Sequence, residues 1–191
     1  MKKKTVFIIL ALIFVFLLVG ASLVYNKLIQ SAAPDQLATQ ESAVHSEETA
    51  PQLMQAPDFT VYDAAGNEVK LSDYFGKPIV VNFWASWCGP CKMEMPDFQE
   101  KYQALGGEVT FLMVNMTDGD RETVEIASDF ITEAGYTFPV LFDTASSAAM
   151  AYGVYSLPST YFIDANGYAV ARATGAIDGD TLQQGIDMIA L

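Results

Sequence analysis

Both cysteines of the chain fall within Trp87-Cys88-Gly89-Pro90-Cys91, directly after the apolar run Ile79 to Trp84. A short apolar run bounded by turn residues reads as a buried strand. The Gly-Pro pair then opens a helix, because proline suits a first helical turn, where its missing N–H costs nothing. Two thiols three residues apart, where a buried strand hands over to a helix, constrain this region to a redox centre.

Disulfide exchange proceeds by thiolate attack through a mixed disulfide, which a second nearby thiol resolves. On this spacing Cys88 attacks and Cys91 resolves. The unpaired N–H groups and macrodipole of a helix that starts at Gly89 or Pro90 favour negative charge on Cys88, so its pKa is expected to be depressed. Cys91, one turn further in, is expected to be less exposed and less acidic. A structural staple is one alternative, but closing so short a loop stabilises by only about 2 kcal/mol in the chain-entropy model. Zinc is another, yet a structural site takes four ligands. The one histidine, His45, lies in a polar stretch far upstream. Neither a metal nor a cofactor is expected.

The sixteen residues Val81-Asn82-Phe83-Trp84-Ala85-Ser86-Trp87-Cys88-Gly89-Pro90-Cys91-Lys92-Met93-Glu94-Met95-Pro96 resemble the active-site segment of the TlpA/ResA-like thioredoxin-fold oxidoreductases. Cytosolic thioredoxins share the Trp-Cys-Gly-Pro-Cys core, but carry a buried aspartate where this chain has Asn82. The membrane-anchored branch has the pattern Cys-x-x-Cys-Lys/Arg-x-Glu-x-Pro, whose glutamate falls on Glu94. The resemblance therefore implies catalytic roles for Cys88, Cys91 and Glu94, with Cys88 and Cys91 as the redox-active disulfide. Glu94 lies three residues after Cys91 and on nearly the same helix face. Partial burial there raises a carboxyl pKa toward the range useful for acid–base work. The plain alternative is a solvated helix glutamate.

A second signal is Val154-Tyr155-Ser156-Leu157-Pro158-Ser159-Thr160, followed by strand-like Tyr161-Phe162-Ile163 and the turn Asp164-Ala165-Asn166-Gly167. The Asn-Gly pair predicts a hairpin. Composition alone makes Pro158 a trans turn proline. Thioredoxin-fold proteins resemble this stretch and place a cis proline before the strand and beside the disulfide, and Pro158 is the matching position. The backbone edge at Ser156 and Leu157 is then open to an extended substrate segment. Trp87, Leu157 and Pro158 are the expected substrate-binding residues.

The N-terminal part divides by composition. Residues 1–4 form a basic tail with Lys2, Lys3 and Lys4, and Thr5 to Tyr25 is an uncharged stretch of 21 residues. A hydrocarbon core needs about 20, and the lysines leave the tail in the cytoplasm with everything after Asn26 exported. Val19-Gly20-Ala21 also fits a small-residue cleavage site, but the apolar run continues through Tyr25, so the stretch reads as an uncleaved single-pass anchor. Residues 26–52, rich in Ser, Ala, Thr, Gln and Glu, read as a flexible linker of roughly 25 to 30 Å typical span.

Residues 53–191 hold the folded domain, an α/β sheet in which strand and helix signals alternate. Phe59 to Asp63 and Glu68 to Leu71 predict an N-terminal β-hairpin extension. Then follow strand Ile79 to Trp84, helix Pro90 to Leu105 kinked or interrupted near Pro96, strand Val109 to Asn115, and helix Arg121 to Ala134 capped by Asp120. Val124, Ile126, Ala127, Phe130 and Ile131 form that helix's buried stripe, and the element resembles the central αβ insertion of the TlpA/ResA branch. Strand Val140 to Phe142, helix Ala145 to Tyr152, hairpin Thr160 to Ala173 and helix Asp180 to Ile189 complete a thioredoxin-like fold.

Past Lys27 there are six basic residues against 23 acidic ones, a net of 17 negative charges, which disfavours nucleic acid as a partner. The resemblance implies an extracytoplasmic thiol-disulfide oxidoreductase that reduces disulfides of exported proteins, apocytochrome c among the candidates, and is itself reduced by a membrane electron donor of the CcdA type. A thiol peroxidase of peroxiredoxin type and a copper-handling module are the alternatives. The first calls for a lone peroxidatic cysteine context, and the second for a third ligand such as a domain histidine beside Cys88 and Cys91, neither of which the sequence offers.

Overall fold

The computed structural model describes residues 37–39 and 54–190. Among them β1 (Leu37–Thr39), β2 (Met54–Gln55), β3 (Thr60–Tyr62), β4 (Glu68–Lys70), β5 (Ile79–Trp84), β6 (Thr110–Asn115), β7 (Val140–Phe142), β8 (Ser159–Ile163) and β9 (Tyr168–Thr174) form one mixed sheet. Its order is β1-β9-β8-β5-β6-β7-β3-β4, with β2 also paired to β9. β5, β6 and β7 are parallel, while β8 runs antiparallel to both β5 and β9. The helices are α1 (Gly89–Leu105), α2 (Val124–Ala134), α3 (Ser147–Ala151) and α4 (Gly179–Ile189).

Every residue of β5 is buried, as its unbroken apolar run requires of a strand covered on both faces. Because side chains alternate across a strand, Val80 and Trp84 enter one core with Cys91, Met95 and Phe98 of α1 and Leu182 and Ile186 of α4. Ile79, Val81 and Phe83 enter a second with Phe59, Leu71, Ala148 and Tyr152. The site-bearing start of α1 therefore rests on the central strand.

The predicted N-terminal hairpin is present as β3 and β4, and it joins the sheet through the pair Tyr62 and Phe142. Leu71 opens a 3-10 turn instead of ending β4. Asp164 shapes the second hairpin by accepting from the Asn166 and Tyr168 N–H groups, and Gly167 takes the positive φ that the turn demands. Leu37–Thr39, inside the stretch read as linker, adds to the β9 edge. The remainder of residues 26–52, apart from these three, and the predicted anchor lie outside the described residues. No described helix is long and apolar enough to cross a membrane.

Several boundaries differ from expectation. α1 runs through Pro96 as one helix, uninterrupted, with the ring denying the Lys92 carbonyl its usual partner. Asp120 does not cap α2. That helix begins three residues later, at Val124, and Thr123 caps it by accepting from the Ile126 N–H at 3.1 Å. Residues 118–122 fold instead around the Asp118 carboxylate, which accepts from the Asp120 and Glu122 N–H groups. On α2 only Ala127 is fully buried, Val124, Phe130 and Ile131 are half-buried against the core, and Ile126 faces solvent. α3 spans Ser147–Ala151, shorter than predicted, and α4 starts at Gly179 behind the Asp178 cap.

Gly185 of α4 lies against Phe162 of β8, so closely that a Cβ there would overlap the ring. Gly185→Ala therefore gains helix propensity but loses more to overpacking, for which about 1 to 3 kcal/mol is typical. A lower urea midpoint for G185A than for the parent is expected, and an unchanged or higher one would show that β8 yields.

Candidate functional site

The turn Ala85–Trp87 carries the chain from the end of β5 into α1, and Cys88 is the residue that caps the helix. Its N–H returns to the Ala85 carbonyl at 3.1 Å, and its Sγ accepts the Cys91 N–H at 3.2 Å. The sulfur thus occupies the place a capping oxygen normally takes, satisfying one orphan donor of the first turn. Cys88 and Cys91 are joined in a disulfide, with Cα atoms 5.3 Å apart. Cys91 is fully buried, and Cys88, 4% exposed, shows an edge to an open groove of about 440 Å³. Trp87 and Pro90 form one wall of that groove, Met116 and Asp118 another, and Tyr155 to Leu157 the third.

The structure brings together five of the six residues singled out from the sequence around this groove or directly behind it. Trp87 (41% exposed) and Leu157 line it with Cys88. Pro158 follows Leu157 through a cis peptide bond and is itself buried, with its carbonyl accepting from the Gly175 N–H. Cys91 sits behind Cys88. The sixth, Glu94, lies deeper on α1 and is 2% exposed.

Glu94 Oε1 accepts from Asn82 Nδ2 at 2.8 Å and Oε2 from the Ile177 N–H at 3.0 Å. Burial pushes its carboxyl up from 4.5 to about 7; the two hydrogen bonds oppose that rise and the Asp97 charge adds to it. Asn82 Nδ2 also donates to Thr160 Oγ1 at 3.0 Å, while Asn82 Oδ1 has no partner. Once the amide turns, this unpaired acceptor can take a hydrogen bond from the protonated form of the Glu94 carboxyl.

A second buried carboxylate was not legible in the sequence. Glu122, fully buried, accepts from the Ser86 N–H and Asn115 Nδ2 on Oε1 and from Ser86 Oγ on Oε2. It lies in Asp118-Gly119-Asp120-Arg121-Glu122, which reads as a solvated acidic run. The usable signal was Asn115, a polar residue closing an apolar strand. Among the described residues no group of three or more His, Cys, Asp or Glu is placed to hold a metal ion.

Residues 54–171 match the AhpC/TSA family. The thiol-disulfide oxidoreductase ResA of Geobacillus thermodenitrificans is 38% identical over 137 residues, 70% of this chain and 75% of the relative. Among solved structures, a putative thiol:disulfide interchange protein DsbE from Chlorobium tepidum superposes with a TM-score of 0.62 at 31% identity, covering 75% of this chain and 100% of the other. The pneumococcal exposed lipoprotein thioredoxin Etrx1 from Streptococcus pneumoniae gives 0.58 at 32%, covering 68% and 98%.

Because the folded state holds the Glu94 proton that the unfolded chain has lost, stability falls as pH rises from 4.5 to about 7. Glu94→Gln removes that titration. Relative to the parent, E94Q should gain up to about 3 kcal/mol between pH 4 and pH 8. Urea unfolding of both oxidised proteins at the two pH values measures this, and a pH-independent difference would show that Glu94 does not titrate there.

Proposed function

The chain belongs to the AhpC/TSA family, has the thioredoxin-like fold and is a thiol-disulfide oxidoreductase; from that premise we propose how its residues divide the work and where they do it. In the reduced enzyme the Cys88 thiolate attacks a client disulfide, forming a Cys88–client bond and expelling one client thiolate. Cys91, its proton passed to Glu94, then attacks Cys88 Sγ, forming the internal disulfide and releasing the second client thiolate. Two electrons move to the client, and the oxidised couple must be reduced again.

The observation that carries this reading is the Cys91 N–H held on Cys88 Sγ at the start of α1, on the edge of the groove. A helix N-terminus with a backbone donor aimed at one sulfur favours negative charge on it, and so favours Cys88 both as nucleophile and as leaving group. Glu94, with a pKa of about 7, is matched to taking and returning a proton at neutral pH. Its protonated form gains an acceptor when the Asn82 amide turns Oδ1 toward it, since Thr160 Oγ1 can donate or accept.

The groove is the client site. Trp87 and Leu157 offer apolar walls, and Pro158 fixes the chain behind Leu157. No described residue hydrogen-bonds the Leu157 N–H or carbonyl, which leaves that edge for an extended client segment. The clients are disulfide-containing exported proteins, with apocytochrome c as the candidate that would place the enzyme in cytochrome c maturation. The apolar stretch Thr5 to Tyr25 anchors the chain as a single pass, with residues 1–4 cytoplasmic, residues 26–52 apart from the strand Leu37–Thr39 as linker, and the catalytic domain outside. A membrane electron donor of the CcdA type resupplies electrons.

Insulin reduction driven by dithiothreitol tests the chemistry. Cys88→Ser should fall to the uncatalysed rate, and turnover equal to the parent would remove Cys88 from the mechanism. Cys91→Ala should arrest the mixed disulfide, visible by mass spectrometry as a client adduct on Cys88. Absence of any adduct with a reduced variant would overturn the order of attack.

A further inference from the structure

Glu122 is a fully buried carboxylate with no part in the thiol chemistry above. Burying such a group costs several kcal/mol unless donors replace its water. Here three do: the Ser86 N–H at 2.7 Å, Ser86 Oγ at 2.6 Å and Asn115 Nδ2 at 2.7 Å. Two of them belong to the turn that delivers Trp87 and Cys88, and the third to the end of β6. Asn115 is oriented in turn by Thr117 Oγ1, which donates to its Oδ1 at 2.8 Å. The Glu122 N–H is held by Asp118 at 2.8 Å, and Asp118 itself lines the groove. The neighbouring residue, Arg121, lies over the Trp87 ring, its guanidinium carbon 4.0 Å from the centroid. One five-residue segment thus grips the backbone before Trp87 from inside and the Trp87 ring from outside.

We propose that the segment Asp118 to Glu122 sets the aromatic wall of the client groove, with Glu122 a positioning residue for Ser86-Trp87-Cys88 and Arg121 a specificity-determining residue that holds the Trp87 ring. The inference rests on the reading of the groove as the client site. A small disulfide reaches Cys88 without leaning on Trp87. A protein segment must lie along the wall. Loosening the wall therefore costs protein clients more than small ones, and the ratio of the two rates reports it.

The pre-reduced full chain is mixed in single turnover with insulin or with dithiobis(nitrobenzoate), and the ratio of second-order rate constants is compared between variants. Arg121→Ala, on an exposed side chain, should lower the insulin-to-small-disulfide ratio about three- to fivefold, the value of an exposed cation–π contact. Glu122→Ala strands the Ser86 and Asn115 donors and should lower it about tenfold. Glu122→Gln should recover most of the ratio, because the Ser86 hydroxyl can turn to accept from the new amide. If E122A fails to fold, R121A and E122Q still decide. An unchanged ratio in R121A overturns the proposal, as does an equal fall toward both disulfides. A parent protein that reacts with the small disulfide but never with insulin overturns the client-groove reading, and this inference with it. Normal insulin reduction with unaffected variants overturns this inference alone.

Discussion

Covering β5 on both faces is the constraint from which the site follows. A strand with no wet face has no solvent to satisfy a polar side chain, so any such side chain must be paired within the protein. Asn82 is the polar residue of β5, and alternation turns it toward the same side as Val80 and Trp84, where α1 and α4 pack. Its amide donates to Glu94 on α1 and to Thr160 on β8, and Glu94 reaches on to the Ile177 N–H ahead of α4. One polar knot ties the helix that carries the cysteines to the strand that follows Pro158. The groove walls on either side of Cys88 are held in register by it.

The same knot explains why the Glu94 carboxyl titrates apart from the exposed ones. The chain carries 23 acidic residues and a net charge of −13, and most of those among the described residues face water. Where an exposed aspartate closes a turn or caps a helix, hydrogen-bond donors pull its pKa down: the Glu122 and Asp120 N–H groups for Asp118, and the Thr181 side chain and then its N–H for Asp178. Glu94 meets the opposite condition. It is buried, its hydrogen bonds come from neutral amides, and the charge that acts on it is the negative one of Asp97. Neutral donors offset only part of the desolvation cost, which leaves the group near neutrality.

Elements with strong local signals were readable from sequence: the unbroken apolar β5, the Gly-Pro start of α1, the Asn-Gly turn between β8 and β9. The cysteine pair was readable because its chemistry needs that spacing. What escaped depends on partners distant in sequence. Asp120 has the composition of a cap, but Asp118 had already claimed the local N–H groups, so the helix waited for Thr123. Ile126 matches a helical stripe by spacing yet points away from the sheet. The pairing of Leu37–Thr39 with β9 is set by the free edge of a strand more than a hundred residues later, which no local pattern announces. Glu122 looks like surface charge until β6 and the Ser86 turn close around it.

Glu94 and Glu122 show how neighbours assign different work to the same side chain. Both are buried and both receive amide donors. Glu122 is ringed by a backbone N–H, a hydroxyl and a side-chain amide from two separate elements, a set that resists any displacement of the turn it holds. Glu94 has two donors and an unpaired Asn82 Oδ1 close by, so a proton there has somewhere to point. The first arrangement fastens the segment that presents Cys88. The second supplies a site where charge can change without breaking the fold. On the proposed roles, the groove stays fixed through a cycle in which the sulfurs alternate between thiol and disulfide, because the proton is assigned to Glu94 and the scaffold to Glu122, on different elements.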